Sequence, residues 1–360
     1  MKKGRRIGAL LLALFVAVSG SGCRKDTKPE RQDGSLKRYD VQYLDLFDTV
    51  TSVVGYAESE EAFSAYTREF YEEMREYHRL YDIYEDYDGL NNLKTINDNA
   101  GIRPVKVDAR IIGMLREAKE MYELTSGRMN VAMGSVLSIW HEYRTEGINS
   151  PGTAKLPPME ALEEAAKHTD IDKVEIDEEA STVYLSDRDM SLDVGSVAKG
   201  YATEMACRSL EQKGVTHALV SVGGNVRAIG DRADKSLWQV GIQNPDLGST
   251  NPYLHRAGIK DMSLVTSGTY QRYYTVDGKN YHHIIHPDLL MPWDRYASVS
   301  IICKDSGMAD CLSTAVFNME PEEGERFIEG LKDVEAMWVY PDGREVYSSG
   351  FEAFITDGGN

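Results

Sequence analysis

The sequence is poor in the features that mark zinc-finger, nucleic-acid-binding and membrane-spanning proteins. Its 360 residues include four cysteines and no Cys-x-x-Cys pair, so we expect no structural zinc site. The net charge of -18 leaves no surplus of lysine and arginine for a nucleic-acid backbone or an anionic bilayer surface. Internal repeats and low-complexity segments are also missing. The 42% of hydrophobic residues is enough to bury a sizeable core, which predicts a folded and well-solvated protein.

The N-terminal residues have the layout of a bacterial export signal. Basic residues precede an apolar run at 7–18, which is shorter than the roughly 20 residues that a membrane-spanning helix needs. Small residues then lead into Cys23, and we predict a signal peptide at residues 1–22. These small residues resemble a lipobox, although Gly20 stands where a leucine is usual. We therefore predict that Cys23 is lipidated and that residues 23–41 form a lipid-anchored flexible tether at the outer face of the cell membrane.

The hydrophobic pattern predicts one α+β unit over residues 42–360, because no linker-like break interrupts it. A β-branched run at 43–56 indicates a strand, and Ser59 is placed to cap a long amphipathic helix at 60–81. The Tyr- and Asp-rich segment at 81–97 indicates a loop. Further helices are predicted at 109–124, 159–168, 198–213 and 307–317, and hairpins at 174–192, around 276–279 and at 336–354.

The most informative stretch runs from residue 191 to residue 204. It places Asp193, a Gly/Ser turn and Lys199 where a strand pattern changes to a helix pattern. Backbone N–H groups and an ammonium group could converge there on a phosphate. Alternatively, Gly195 and Ser196 only make a tight turn, and Lys199 lies on a solvated stretch of helix. This stretch alone does not decide between the two.

A second candidate site lies on the predicted helix at 307–317. Asp310 and Thr314 are four residues apart, so their oxygens share one helical face. A carboxylate with a hydroxyl is a hard-oxygen pair that suits Mg²⁺. The alternative is that Asp310 complements the dipole of its own helix and Thr314 bonds back to a backbone carbonyl.

A short run of small residues precedes an apolar segment. Ala132, Met133 and Gly134 would let a flat ligand approach the backbone, although tight internal packing explains the run equally well.

A histidine-rich segment follows the hairpin turn at 276–279. His282, His283 and His286 are close enough in sequence to suggest zinc. Because side chains alternate across a strand, His282 and His283 should point to opposite faces and cannot easily share one ion. We therefore expect no zinc site here.

Five motifs occur in one order along the chain. They are Asp-x-Gly-Ser-x-Ala-Lys-Gly-Tyr-Ala from residue 193, Val-Gly-Gly-Asn from 222, Thr-Ser-Gly-x-Tyr from 266, His-Ile-Ile-x-Pro from 283 and Ala-Asp-x-x-Ser-Thr-Ala from 309. Together they closely resemble the ApbE family of FAD:protein FMN transferases, and the resemblance extends from about residue 43 to the C-terminus. It implies a single large α+β domain with mixed or antiparallel sheets and flanking helices.

The resemblance also implies an activity. Members of the family are often exported lipoproteins that split FAD, their substrate, with the help of Mg²⁺, for which Mn²⁺ is a possible substitute. They attach FMN through a phosphoester to a Thr or Ser of an acceptor protein, typically a subunit of a membrane electron-transfer complex.

Individual site residues follow from the resemblance, position by position. The implied metal ligands are Asp310, Thr314 and the backbone carbonyl of Ser196. The implied flavin-nucleotide contacts are Phe47, Tyr84, Ala132, Met133, Gly134, Asp193, Lys199 and Ile285. The chain departs from the family pattern at His286, where an acid is usual, and at Phe47-Asp48-Thr49, where Met-Gly-Thr is usual.

The residues suit this chemistry. Cleavage of a pyrophosphate needs charge neutralisation on developing oxyanions, which Lys199 and a magnesium ion could supply. A hydroxyl nucleophile also needs a base, and we assign that role to His283, with Asp193 and Lys199 as the other catalytic residues. His283 could instead be a strand histidine that packs against the flavin.

Two other functions stay open from the sequence. The same site could use water as its nucleophile and act as an FAD pyrophosphatase, or the protein could be a non-enzymatic flavin-binding lipoprotein. The pair of Asp310 and Thr314 speaks against pure binding, because a binder has little use for a catalytic cation. No segment of the chain resembles the acceptor motif, so we do not expect self-flavinylation.

Overall fold

The structure is a computed structural model that describes residues 36–356. The predicted signal peptide at 1–22, Cys23 and most of the predicted tether lie outside the described residues. The first strand, β1 (Lys37–Leu46), begins before residue 42, where the sequence placed the start of the domain. The ordered sheet therefore includes the last residues of the predicted tether.

Helices and strands alternate irregularly along the chain. The helices are α1 (Glu60–Tyr81), α2 (Leu93–Asp98), α3 (Ala109–Leu124), α4 (Gly134–Asn149), α5 (Met159–Ala165), α6 (Ala198–Gln212), α7 (Ser306–Phe317) and α8 (Pro321–Glu329). The strands after β1 are β2 (Thr49–Ala57), β3 (Val105–Lys106), β4 (Val174–Asp177), β5 (Thr182–Leu185), β6 (Ala218–Val222), β7 (Asn225–Ile229), β8 (Trp238–Gln243), β9 (Tyr253–Ile259), β10 (Ser263–Gly268), β11 (Tyr273–Val276), β12 (Lys279–His282), β13 (Ser298–Cys303), β14 (Glu335–Val339) and β15 (Glu345–Tyr347).

One large antiparallel sheet organises these elements. Its strand order is β1-β2-β6-β7-β10-β13-β14-β15. Three smaller antiparallel sheets comprise β11 with β12, β8 with β9, and β3-β5-β4. The predicted α+β class with antiparallel sheets and flanking helices is confirmed.

The large sheet is covered on both faces. Strands β6, β7 and β13 are buried at every position, because apolar side chains pack against each side of the sheet. One face, which includes Val265, belongs to the main core together with residues of α1, α3, α6 and α7. The other face, which includes Leu264, packs with Trp238 and its neighbours on β8 and β9.

The single strand predicted at 43–56 is wrong. The structure has two strands, β1 and β2, joined at Phe47 and Asp48, which both have positive φ angles of 52° and 51°. Two such residues make the tight turn that suits the twist of a hairpin. The sequence hides the turn because neither residue is glycine or proline, and the β-branched pattern continues on both sides of it.

The loop predicted at 81–97 is also partly wrong, because α2 begins within it. Asn92 caps this short helix through a capping box, in which its side chain accepts from the Thr95 backbone and Thr95 bonds back. The long helices at 60–81 and 109–124 are confirmed, including the Ser59 cap. The helix after the Asp193 turn also forms as predicted and ends at Gln212.

Candidate functional site

The first turn of α6 lies directly against α7. A Cβ atom added at Gly200 would lie 2.3 Å from the carbonyl oxygen of Ser306 and 2.5 Å from the Cβ of Asp310. The two helices can approach this closely because position 200 has no side chain. The glycine of the Ala-Lys-Gly motif therefore brings two distant segments together.

Asp310 serves the N-terminus of α6 rather than that of its own helix. The Gly200 N–H donates to Asp310 Oδ2 at 2.9 Å, while Val197, which precedes α6, makes no side-chain cap. Helix α7 is capped by Asp305, whose side chain accepts from the Met308 N–H. The alternative in which Asp310 completes its own helix dipole is therefore wrong, and the buried carboxylate, 4% exposed, faces the Asp193 turn.

Lys199 links that carboxylate to the turn. Its Nζ lies 3.6 Å from Asp310 Oδ2 and donates to the Gly195 carbonyl oxygen at 3.3 Å. Thr314 is half-buried one helical turn after Asp310, and Ser196 is half-buried beside Gly195. A carboxylate, a hydroxyl and a backbone carbonyl are the hard-oxygen donors that Mg²⁺ prefers, so these residues fit the metal that the sequence predicted.

The Asp193 turn is paired with the small-residue run. The Asp193 N–H donates to the Val131 carbonyl oxygen at 2.9 Å, and the Gly134 N–H donates to the Ser191 carbonyl oxygen at 3.0 Å. A Cβ at Gly134 would lie 2.4 Å from that same oxygen, so glycine is required there. Asp193 Oδ1 accepts from the Gly195 N–H at 2.9 Å and shapes the turn. The structure thus places two predicted flavin-contact segments side by side.

Tyr84 and His141 lie next to Asp193. The Tyr84 hydroxyl lies 2.9 Å from His141 Nδ1, and His141 Nε2 lies 3.6 Å from Asp193 Oδ2. Tyr84 is 61% exposed, whereas His141 is half-buried on α4. Although the residue as a whole is largely exposed, desolvation of its hydroxyl next to His141, followed by the charge of Asp193, raises the pKa of Tyr84 to about 12, so the phenol stays protonated.

Two arginines that the sequence analysis missed lie around the same site. Arg144 follows His141 by three residues on α4, and Arg272 lies between β10 and β11. Neither guanidinium has a hydrogen bond or an ion pair within the described part of the chain. Their charges act together on Tyr84, His141 and His283, which places all five groups in one neighbourhood. His141 and Arg144 are three residues apart and so share one face of α4. This spacing indicates a site only once that face is known to lie towards the Asp193 turn.

His283 is held against the Arg272 backbone. Its N–H and its Nδ1 lie 3.1 Å and 3.3 Å from the Arg272 carbonyl oxygen. Because a carbonyl only accepts, Nδ1 carries the proton and Nε2 keeps a free lone pair. Burial, followed by the charges of Arg272 and Arg144, lowers the pKa of His283 well below its ordinary value. The imidazole is therefore neutral and able to accept a proton at neutral pH.

The neighbouring histidine points the other way, as alternation along a strand predicts. His282 is buried against the Phe317 ring at 5.6 Å between centroids, and burial lowers its pKa to about 4. Within residues 36–356, the one group of three or more His, Cys, Asp or Glu side chains with ligand atoms within 4.8 Å of one another is His168, Asp187 and Asp189. That group does not include the histidines at 282–286.

Two other predicted flavin contacts, Ile285 and Phe47, have apolar or aromatic neighbours. Ile285 is buried in a satellite hydrophobic cluster together with Met133 and Trp140, so it packs against α4. Phe47 lies at the β1–β2 turn, where its N–H donates to His78 Nδ1 at 3.2 Å and its ring meets the His78 ring edge-on.

Within residues 36–356, none of the helices combines the length and the hydropathy that a membrane crossing requires.

An oxygen-donor set, a lysine and two unpaired arginines on an antiparallel α+β scaffold are typical of a protein that handles phosphate esters. The sequence profile of the ApbE family matches residues 47–338, and the chain belongs to that family.

Named relatives and solved structures agree with this assignment. The FAD:protein FMN transferase of Treponema pallidum is 33% identical over 272 residues, which cover 72% of this chain and 73% of the relative. An FAD:protein FMN transferase of Klebsiella pneumoniae is 31% identical over 266 residues, with 72% and 80% covered. The crystal structure of the ApbE protein of Thermotoga maritima superposes with a TM-score of 0.78 at 26% identity, covering 89% of this chain and all of the other.

Proposed function

We propose that this protein is a Mg²⁺-dependent FAD:protein FMN transferase. It cleaves FAD, attaches FMN through a phosphoester to a Thr or Ser of an exported or membrane electron-transfer protein, and releases AMP. The observation that carries the proposal is the α6–α7 contact, in which the Gly200 N–H donates to Asp310 next to Lys199, in the first turn of the helix that follows Asp193.

Asp310, Thr314 and the Ser196 carbonyl would hold Mg²⁺, or Mn²⁺ in its place. The ion would neutralise charge on the pyrophosphate oxygens. Lys199 adds an ammonium group on the same side, next to Asp310. Arg144 and Arg272 supply two more cations, and no carboxylate among residues 36–356 forms an ion pair with either of them. In a protein with a net charge of -18, this local concentration of positive charge favours a polyanionic substrate.

His283 would act as the general base. Its neutral imidazole would take the proton of the acceptor hydroxyl at Nε2 as the hydroxyl oxygen bonds to the FMN phosphorus. The bond between that phosphorus and the bridging pyrophosphate oxygen breaks, and AMP leaves with its phosphate stabilised by the nearby cations.

The direct test incubates residues 24–360 with FAD and Mg²⁺, with and without a flavin-accepting domain. We expect AMP release and covalent flavin fluorescence on the acceptor in a denaturing gel. Both should be lost with a chelator and in an Asp310→Asn variant, whereas Glu142→Ala, a change at an exposed position of α4, should keep both. AMP without a labelled acceptor, with several acceptors tried, would indicate an FAD pyrophosphatase. Intact bound FAD with neither product would indicate a flavin-binding protein.

We also propose that the protein is exported and lipid-anchored through Cys23. The basic, apolar and small-residue segments that precede Cys23 support this proposal. In cells fed an alkyne-labelled fatty acid, the wild-type protein should take up the label and sediment with membranes. A Cys23→Ala variant should do neither, and an unlabelled wild-type protein would contradict the proposal.

A further inference from the structure

The polar contacts of Tyr84, His141 and Asp193 connect three separate parts of the fold. Tyr84 comes from the segment between α1 and α2, His141 from α4, and Asp193 from the turn before α6. Tyr84 and Asp193 are both predicted flavin contacts, whereas no motif or resemblance points to His141. The histidine lies between them, 2.9 Å from the Tyr84 hydroxyl and 3.6 Å from Asp193 Oδ2.

The chemistry of the three groups determines which atom donates and which accepts in each of these contacts. A carboxylate only accepts, so the imidazole nitrogen that faces Asp193, Nε2, is the one that carries the proton. In a neutral ring, Nδ1 is then an acceptor, and the Tyr84 hydroxyl donates to it. Burial lowers the pKa of His141, as do Arg144 and Arg272, while Asp193 opposes them, so the ring is neutral at neutral pH. Tyr84 keeps its proton because its own pKa is raised to about 12.

The contact with His141 matters most for Tyr84, whose ring is largely open to solvent. Its backbone N–H is tied to Asp82 Oδ1 at 2.7 Å, and its hydroxyl is tied to His141. An exposed aromatic side chain without such a tether would lose rotamer freedom when a ligand stacks on it, which weakens binding. Here the ring is already ordered before a ligand arrives.

We propose that His141 is a positioning residue, which holds the Tyr84 ring and the Asp193 carboxylate in one arrangement for the flavin nucleotide. This inference rests on the proposed function. His141 acts through its two neighbours. Its removal should therefore weaken FAD binding through loss of the Tyr84 tether.

Equilibrium binding of FAD to residues 24–360 tests this positioning role. Quenching of flavin fluorescence is the readout, and a chelator is present to prevent turnover. We expect His141→Ala to raise the Kd about tenfold, the equivalent of one lost hydrogen-bonded tether. Tyr84→Phe should raise it by a similar factor. The double variant should be no weaker than the worse single variant, because both changes remove the same contact.

Two further variants separate positioning from folding. His141→Gln can donate to Asp193 and accept from Tyr84, so it should restore much of the affinity. Glu142→Ala, on the adjacent exposed position, should bind like the wild type. All variants should show the wild-type circular dichroism spectrum, and if His141→Ala is unfolded, the comparison of His141→Gln with Tyr84→Phe decides the matter.

The outcomes distinguish this inference from the proposed function. Unchanged affinity in His141→Ala, or effects of His141→Ala and Tyr84→Phe that simply multiply, would overturn the positioning role while the transferase assay still succeeds. A wild-type protein that binds no FAD would overturn the proposed function and this inference with it.

Discussion

At the scale of single residues, the site is defined by charge. Lys199 is already partnered by Asp310 and the Gly195 carbonyl, but Arg144 and Arg272 have no counter-ion within residues 36–356. Arg144 is half-buried, and this burial lowers the pKa of its guanidinium. A half-buried guanidinium near a neutral histidine, with a second arginine close by, is a costly arrangement unless an anion joins them.

Loss of one of these arginines should weaken substrate binding. In Arg144→Gln we expect the KM for FAD to rise about tenfold, the value of one charge-assisted hydrogen bond to phosphate, with a smaller change in kcat. Steady-state AMP release measures both. Arg103→Gln, at an exposed position outside the site, is the control and should match the wild type. An unchanged KM in Arg144→Gln would remove this arginine from the substrate site.

The pH dependence of the reaction should report His283. Only the unprotonated imidazole can accept a proton, and its pKa is lowered by burial and by the two arginines. We therefore expect kcat/KM to hold at pH values near the ordinary histidine pKa of about 6.5 and to fall only at lower pH. Arg272→Gln removes one cause of the shift and should move this acid limb to higher pH.

His283→Gln provides the control for this assignment. The rate should fall by about 10²–10⁴-fold, and the acid limb should vanish. If the limb persists unchanged in that variant, another group is responsible for it and His283 is not the base.

At the scale of elements, the contact between α6 and α7 positions Asp310, a proposed metal ligand. Each helix supplies an acceptor for the other: Asp310 accepts from the Gly200 N–H, and Glu204 accepts from the Ser306 N–H at 3.0 Å. Glu204 is buried and is held by Arg227 at 3.1 Å and Arg208 at 2.8 Å. The ion pairs of Glu204 hold α6 in place, and the two hydrogen bonds between the helices hold α7 against it. The helices can come this close because position 200 has no side chain.

Gly200→Ala should therefore disturb both stability and metal binding. The added methyl group overlaps backbone and side-chain atoms of α7, and we expect the free energy of unfolding to fall by about 1–3 kcal/mol. Because Asp310 moves with α7, the stabilisation that Mg²⁺ gives to the wild type should shrink as well. Urea unfolding with and without Mg²⁺ measures both effects.

Gly152→Ala is the matched control for that experiment. A Cβ there meets nothing within 4 Å and the backbone has no positive φ angle, so stability should be close to that of the wild type. A Gly200→Ala variant that is equally stable and equally responsive to Mg²⁺ would show that the close crossing is not needed.

At the scale of the whole molecule, the large sheet needs its first strand. β1 pairs with β2 from Lys37 opposite Ala57 to Leu46 opposite Thr49, and β2 in turn pairs with β6. The turn between β1 and β2 carries Phe47, a predicted flavin contact. The functional domain therefore extends back to about residue 37, into the segment that the sequence assigned to the tether.

Two truncated chains test this boundary. A chain that begins at residue 42 lacks the first half of β1 and leaves part of the β2 edge unpaired, which favours aggregation. We expect it to melt several degrees below a chain that begins at residue 36, since each kcal/mol shifts the Tm of a domain this large by about 2–4 °C. Identical melting curves and solubility would show that β1 adds nothing to the fold.

The sequence by itself determined what depends on local pattern. Ser59 and the spacing of aromatic residues after it predicted α1, and the alternation at 282–283 predicted the opposite directions of the two histidines. The five ordered motifs determined the family, because several residue types at set spacings rarely recur by chance. The β1–β2 turn escaped this treatment because Asp48 alone, next to Phe47 and without a glycine or proline, is a weak turn signal.

Only the tertiary structure decided which separate groups meet. Asp310 and Gly200 are far apart in sequence, and nothing in the pattern of either helix shows that one carboxylate caps the other helix. The same holds for His141 and Arg144, whose significance depends on which way α4 faces, and for Arg272, which reaches them from the segment between β10 and β11. Local propensity acts over a few residues, whereas burial against the large sheet decides how α6 and α7 pack, and the satellite hydrophobic cluster decides how α4 packs; together they assemble the site.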